Sequence, residues 1–455
     1  MEMLLEFLRD VLSQPALLIG IMSCIGLIAL KRPFHKIMTG TLKPILGYLM
    51  LAAGAGVIVS NLDPLGKMIE HGFHITGVVP NNEAIVAVAQ KVLGVETMSI
   101  LVVGLLMNLC IARFTKFKYV FLTGHHSLFM ACLMSAVLGT AGLSGMELIL
   151  VGGFLMGAWS AISPAIGQSY TSKVTDGDEI AIGHFGSLGY YLSAWVAKYV
   201  GKAEDSTEDI EIPEKWGFLR DSTLSTALTM IVFYLIAAFA AGSEFVATLS
   251  GDMSPYLYAV MSAMNFAVGV TIVYSGVRMI LGDLIPAFQG IATKIIPNAI
   301  PAVDCAVFFT YAPTAVVLGF LSSFIGGIIG MLILGAVGGV LIIPGLVPHF
   351  FCGATAGIYG NATGGRRGAA VGAFLNGLAI TFLPALALPV LGQLGFQNTT
   401  FGDADFAVMG LVLGNAYEWV GMAGIYGIVA IAALVLIIPN FIKTKGKVIN
   451  YVEED

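Results

Sequence analysis

The stretch PGLVPHFFCGATAGIYGNATGGRR, residues Pro344 to Arg367, lies between two long apolar runs, Ala315–Ile343 and Ala369–Leu391. It holds two prolines and six glycines, with His349, Thr355 and Asn361 among them. Glycine and proline at this density predict that a helix cannot continue through it. Backbone broken at membrane depth leaves N–H and C=O groups that lipid cannot satisfy, so such a segment must be enclosed by protein or line a wet cavity. Transporters put substrate sites at breaks of this kind. The expectation is a re-entrant hairpin, with the remaining chain as its wall.

Composition agrees with a membrane setting. The 455 residues are 57% hydrophobic and only 11% charged, with a mean hydropathy of +0.89. A soluble domain carries roughly 25% charged residues. At about 20 residues per crossing there is room for some ten to twelve spans and no separate soluble domain. The net charge of −6 offers no basic stripe for nucleic acid. Cys24, Cys110, Cys132, Cys305 and Cys352 are scattered without a CxxC or Cys/His cluster, and read as packing residues rather than a disulfide or metal site. The opening MEMLLEFLRDVLSQ lacks the basic region of a cleaved signal, so the first span is expected to stay.

Apolar runs place the transmembrane helices, the class being an all-α polytopic membrane protein formed by residues 1–455 as one integral unit. The runs include Pro15–Leu30, Leu42–Leu62, Thr97–Ile111, Tyr119–Gly142 and Leu148–Ile166 in the first half. Leu224–Leu249, Tyr256–Leu281, Val303–Ile343, Ala369–Leu391, Phe406–Trp419 and Val420–Ile438 follow. Asp63–Gly94 and Asp283–Ala302 read as mixed, interfacial loops, and residues 202–222 as one hydrophilic cytoplasmic loop. Basic clusters at 31–36, 113–118, 366–367 and 443–447 all fall on one side if the N-terminus is periplasmic, which puts the C-terminus in the cytoplasm. Gly56-Val57 with Asp63 recurs as Gly276-Val277 with Asp283, and Pro80 answers Pro301. These echoes predict inverted repeats over roughly 40–200 and 256–440. The broken segment Ala181–Gly189, around His184, is then the partner of Pro344–Arg367, giving two re-entrant hairpins.

Polar groups within such runs are costly and are functional candidates. His125 and His184 each follow a glycine beside a break; the bland reading of either is a histidine at headgroup level facing water. His126 and His349 are weaker candidates, and His35, His71 and His74 lie in loops. Asp304 opens a long apolar run, where its carboxylate either caps a helix or faces a cavity. Ala354-Thr355 either offers N–H groups and a hydroxyl to a ligand or forms a structural turn.

Four blocks together resemble a known family. Pro301–Phe320, Leu341–Asn361, FLTGHHSLF at Phe121–Phe129 and VTDGDEIAIGHFG at Val174–Gly186 resemble the ascorbate-type EIIC permeases of the bacterial phosphotransferase system, over essentially the whole chain. The resemblance implies an inner-membrane homodimer of about eleven transmembrane helices per subunit, with interleaved scaffold and core parts, the core moving as an elevator. It implies a cytoplasmic EIIB partner, phosphorylated on cysteine and charged through EIIA, that phosphorylates the incoming sugar. No cofactor is implied. By the same resemblance the substrate contacts are Gly54, Ala55, His125, His184, Ala354 and Thr355, with Asn82 aligned only loosely. Phe129 and Phe185 stand where that family has glutamine, and are expected to face the substrate. Three readings follow: an EIIC permease for L-ascorbate or a related polar sugar or sugar acid; an ion-coupled secondary transporter using Asp304; and an intramembrane enzyme with His125 or His184 as base. No HExxH-type spacing supports the last.

Overall fold

Seven residues separate Gly47 from Gly54, and seven separate Gly269 from Gly276, which is two helical turns and so one face. In the computed structural model those faces meet. Helix α1 spans Pro15–Ala29, and the 40-residue helices α2 (Phe34–Phe73) and α10 (Pro255–Lys294) cross at these glycines. A Cβ at Gly47 would stand 2.8 Å from the Gly276 carbonyl oxygen, and one at Gly54 would stand 2.7 Å from that of Gly269. As one register rises by seven the other falls by seven, so α2 and α10 are antiparallel. Both continue into the first part of the stretches expected to be interfacial loops, α2 through Asp63 and Pro64 to Phe73 and α10 through Asp283 and Pro286 to Lys294. None of the charged residues there is buried, Asp63 being exposed and Asp283 half-buried beside Lys43 (3.6 Å), so the helix has no reason to end at them.

The structure describes residues 11, 14–74, 77–80, 82–177, 179–210, 222–392 and 399–441. The acidic N-terminal stretch, most of the 202–222 loop and the lysine-rich 443–447 cluster lie outside them. The remaining helices are α3 (Asn82–Phe114), α4 (Gly124–Thr140), α5 (Gly145–Ile166), α6 (Gln168–Val174), α7 (Ser187–Val200), α8 (Ser222–Ala241) and α9 (Ser243–Ser250). After α10 come α11 (Pro313–Ala336), α12 (Leu346–Gly392), α13 (Ala404–Val420) and α14 (Met422–Ile437). Among the described residues seven helices are long and apolar enough to cross a membrane, up to eight if the bent α8–α9 pair is one crossing. Other expected spans fall on shorter helices, such as the 15 residues of α1 and the 17 of α4 and α13.

The fold is not purely helical. Strands β2 (Tyr119–Phe121), β4 (Ile300–Val303) and β3 (Ala181–Ile182) form a parallel sheet with β4 central. Strands β1 (Val79–Pro80) and β5 (Thr399–Thr400) pair in parallel, and Val78 bridges Ile342 on the other side. Breaks at one level can satisfy one another's backbone, which is why they occur together. The outer edge of β2 is closed by Asn108, which donates to the Tyr119 carbonyl (3.2 Å) and accepts from the Phe121 N–H (3.0 Å). Tyr119–Gly142 is therefore a strand followed by a helix, not one continuous span.

The Pro344–Arg367 stretch corrects the opening expectation. Residues 346–363 are helical, with Pro348 in the first turn, where its missing N–H costs nothing. The glycines make a smooth strip rather than a break: a Cβ at Gly357 would stand 2.6 Å from the Ala315 carbonyl of α11, and one at Gly353 would stand 2.4 Å from Ser323. The helix breaks only at Gly364 and Gly365, the latter at φ +61°, and turns back as residues 366–392. A hairpin is present, but its legs are helices.

Candidate substrate-binding site

Each strand ends in a glycine or a polar residue, and these ends converge. Beyond β2 comes Thr123-Gly124-His125, beyond β3 comes Gly183-His184, and β4 runs directly into Asp304. From the second sheet, β1 leads to Asn82, and β5 leads to Gly402-Asp403. Gly183 has to be glycine, because a Cβ there would lie 2.4 Å from the Ala302 carbonyl of the paired strand. All five polar residues line one cavity of about 1230 Å³. Apolar residues such as Phe233, Phe324 and Leu332 line it as well, as do Asp63, Lys67 and Glu70 of α2.

The polar end is a connected network. His125 approaches Asp304 through Nε2 (3.4 Å) and Tyr48 through Nδ1 (3.4 Å). Asp304 also accepts from the Ala306 N–H (3.1 Å), capping the 3₁₀ turn Cys305–Thr310, so it caps a helix and faces the cavity at once. Asp403 accepts from Asn82 Nδ2 (2.5 Å) and from the Cys352 thiol (2.9 Å), and lies 3.8 Å from His184 Nδ1. Asn82 in turn accepts from the Gly402 N–H (2.9 Å), which locks the β1 and β5 ends together. The His126 and His184 rings stand 3.8 Å apart, centroid to centroid.

Backbone donors set the histidine tautomers. The Phe185 N–H donates to His126 Nδ1 (3.3 Å), and the Gly186 N–H (3.2 Å) and Tyr190 hydroxyl (2.8 Å) point at His184 Nδ1. A nitrogen that accepts carries no proton, so each neutral ring keeps one N–H, on Nε2. His126, His184 and Asp403 have donor atoms within 4.8 Å of one another, close enough in distance for a metal ion. With both Nδ1 lone pairs engaged, the two rings suit hydrogen-bond donation to a ligand better than metal ligation.

The expected site residues divide. Ala55, Asn82, His125, Phe129, His184 and Asp304 line the cavity. Gly54 does not: it is buried against Gly269 and Val273 in the α2–α10 crossing. Ala354 and Thr355 are buried within α12, off the cavity wall, and the Thr355 hydroxyl donates to the Phe351 carbonyl (2.8 Å). Phe185 is fully buried, stacked on Phe121 (4.6 Å) and edge-on to Phe406 (5.6 Å). Its backbone, not its ring, serves the site. His349 bonds Ser323 (2.9 Å) off the wall, and His71 stacks on Phe245.

Asp403 and Asp405 were missed because Gln393–Asp405 reads as a polar connection. The signal was present: Phe401-Gly402-Asp403 repeats the glycine-then-ionisable pattern of Gly124-His125 and Gly183-His184. Asp405 is a positioning residue. Fully buried, it accepts from Ser187 Oγ (2.8 Å), the Leu188 N–H (3.0 Å) and Trp159 Nε1 (3.3 Å), holding the start of α7 just after His184.

Comparison with known proteins gives this site a context. The chain is 28% identical over 417 residues to the ascorbate-specific PTS system EIIC component of Mycoplasma pneumoniae, covering 78% of this chain and 62% of that protein. It thus spans under two thirds of that relative's length. A model of the PTS system sugar-specific permease component, EIIC-GAT, matches residues 10–405. With a polar cluster lining a cavity among membrane-length helices and a family match over most of its length, this chain belongs to the sugar-specific permease components of the phosphotransferase system.

Proposed function

We propose that this protein is an EIIC permease that moves a polar sugar of the L-ascorbate kind across the inner membrane while a separate, cysteine-phosphorylated EIIB, recharged by EIIA, phosphorylates it. The observation that carries the reading is the convergence of strand ends on one wall, which assembles His125, His184, Asp304, Asn82 and Asp403 from distant parts of the chain. The roles follow from their chemistry. The carboxylates accept from sugar hydroxyls, the imidazole N–H groups donate, and the Phe129 ring lies against the C–H face.

Alternating access in this reading is an elevator. The antiparallel α2 and α10, with α1 and α8 packed on them, form the scaffold, and α7, α11, α12 and α13 form the core. The antiparallel crossing, the strand pairs and the shared glycine-ionisable pattern support inverted repeats as its basis. Homodimerisation rests on the family resemblance. The cavity is lined by the Tyr48–Phe73 part of α2, away from the basic residues at 31–36, and with the positive-inside rule this supports an outward-facing state with a periplasmic N-terminus. Family membership weighs against an ion-coupled secondary transporter.

The test is uptake into vesicles. With phosphorylated EIIB on the cytoplasmic side, labelled sugar should appear inside only as its phosphate ester. Accumulation of unmodified sugar on a proton or sodium gradient, without EIIB, would replace this reading.

A further inference from the structure

One face of α7 is packed and the opposite face is bare. Gly189, Ser193 and Ala197, spaced four apart, meet Asn376, Gly372 and Gly364 of α12. Trp195 and Tyr199, also four apart, lie on the far side, 53% and 73% exposed, their rings edge to face at 5.6 Å. Lys198 belongs to the same stripe and holds its ammonium 5.3 Å over the Tyr170 ring. Helix α7 ends at Val200, and the chain then passes against the hairpin turn of α12. A Cβ at Gly201 would stand 3.2 Å from that of Arg367, and the Arg366 N–H donates to the Asp205 carbonyl (2.8 Å). Two distant segments thus bring four exposed basic side chains to one end of α7, Lys198, Lys202, Arg366 and Arg367. Among the described residues none of the four is in an ion pair. Glu204 and Asp205 are the acidic residues of the same turn, so 4 − 2 leaves +2. Glu208 is occupied elsewhere, accepting from the Thr314 N–H (3.0 Å) and the Ala315 N–H (3.1 Å) at the start of α11.

We propose that this end of α7 binds the headgroup of an anionic phospholipid in the cytoplasmic leaflet, Lys202 and Arg367 holding the phosphate while Trp195 and Tyr199 lie along the upper acyl chain. The inference takes only its sidedness from the permease topology proposed above. Aromatic rings beside bare cations on one exposed stripe fit the boundary between hydrocarbon and headgroups, where Trp and Tyr collect. Basic groups at that level attract anionic lipid, and the planar arginine fork matches two phosphate oxygens. A soluble partner would meet the charges and leave the two rings uncovered, so the stripe as a whole fits a lipid better. None of these residues lines the central cavity, so this surface is separate from the substrate site.

Native mass spectrometry of the full chain released from detergent tests this, with phosphatidylglycerol and phosphatidylcholine of identical acyl chains titrated in. Phosphatidylglycerol should bind on the order of tenfold more tightly, and the margin should shrink as ionic strength rises. Lys202→Gln combined with Arg367→Gln should weaken phosphatidylglycerol binding roughly ten- to thirtyfold and abolish the preference. Arg32→Gln combined with Lys36→Gln, at another basic cluster, should leave it intact. Trp195→Ala combined with Tyr199→Ala should weaken both lipids by about a few-fold and keep the preference. Equal affinity for the two lipids, a preference that survives loss of Lys202 and Arg367, or glycerol 3-phosphate binding as tightly as the lipid overturns the proposal. Dissociation of an oligomer in the Trp195 and Tyr199 variant overturns it too, by making the stripe a contact between copies. Failure of the permease reading would show elsewhere, as uptake that ignores EIIB while this lipid preference stands.

Discussion

At the residue scale, two phenylalanines that look equivalent in the sequence have opposite duties. Both occupy positions where the resembled family has glutamine, yet Phe129 lines the cavity while Phe185 is sealed between Phe121, Phe406 and His126. The difference is one of side-chain direction after a break. Phe185 follows His184 in an irregular turn, so its ring points to the opposite side. Phe129→Gln, at a ring that is buried but borders the cavity, should lower the melting temperature less than Phe185→Gln and tighten binding of a hydroxylated ligand by up to about tenfold, the worth of one hydrogen bond of roughly 0.5–1.5 kcal/mol. Phe185→Gln buries an amide among aromatic rings and should cost about 2–4 kcal/mol. It should appear as a lower melting temperature with no gain in affinity. Equal behaviour of the two variants in both assays would refute this division.

At the scale of elements, the α2–α10 crossing depends on four glycines, Gly47, Gly54, Gly269 and Gly276. A Cβ at Gly276 would stand 2.5 Å from the Gly47 carbonyl, and the contact is backbone on backbone, so no side chain can turn aside. Gly276→Leu should push the helices apart and abolish monodisperse protein on size exclusion, whereas Gly282→Leu on the same helix meets nothing within 4 Å and should behave as wild type. The Pro344–Arg367 stretch teaches the same lesson. Glycine there serves close packing of α11 on α12, and its density alone does not distinguish a packing strip from a break.

At the scale of the whole molecule, the cavity is lined by α2 from Tyr48 to Phe73, and the proposed topology assigns that half of the helix to the periplasmic side. Ala55→Cys, on the cavity wall, should react with a membrane-impermeant maleimide added to intact cells, and a bound ligand should protect it. Labelling only after the membrane is permeabilised would reverse the topology or the access state. The same experiment bears on the elevator, because a core trapped at the other membrane face would hide this position.

Much of this was legible in the sequence because it is written in local chemistry. Apolar run length and sparse charge specify a polytopic membrane chain, and the glycine-histidine pairs at 124–125 and 183–184 mark two of the strand ends that build the site. Pro80 and Pro301 mark the positions where β1 and β4 lie. What the tertiary structure alone decided is which groups meet. Asp403 faces His184 across 219 residues of sequence, and Asn82 reaches Asp403 across 321. Phe185 turns away from the cavity that His184 lines, and Gly54 packs in a helix crossing off the cavity wall. The reason is physical. Hydropathy and backbone preference act over a few residues and survive in the sequence. The pairing of orphaned backbone groups at a break is settled only when another break arrives at the same depth, and that depends on every span between them.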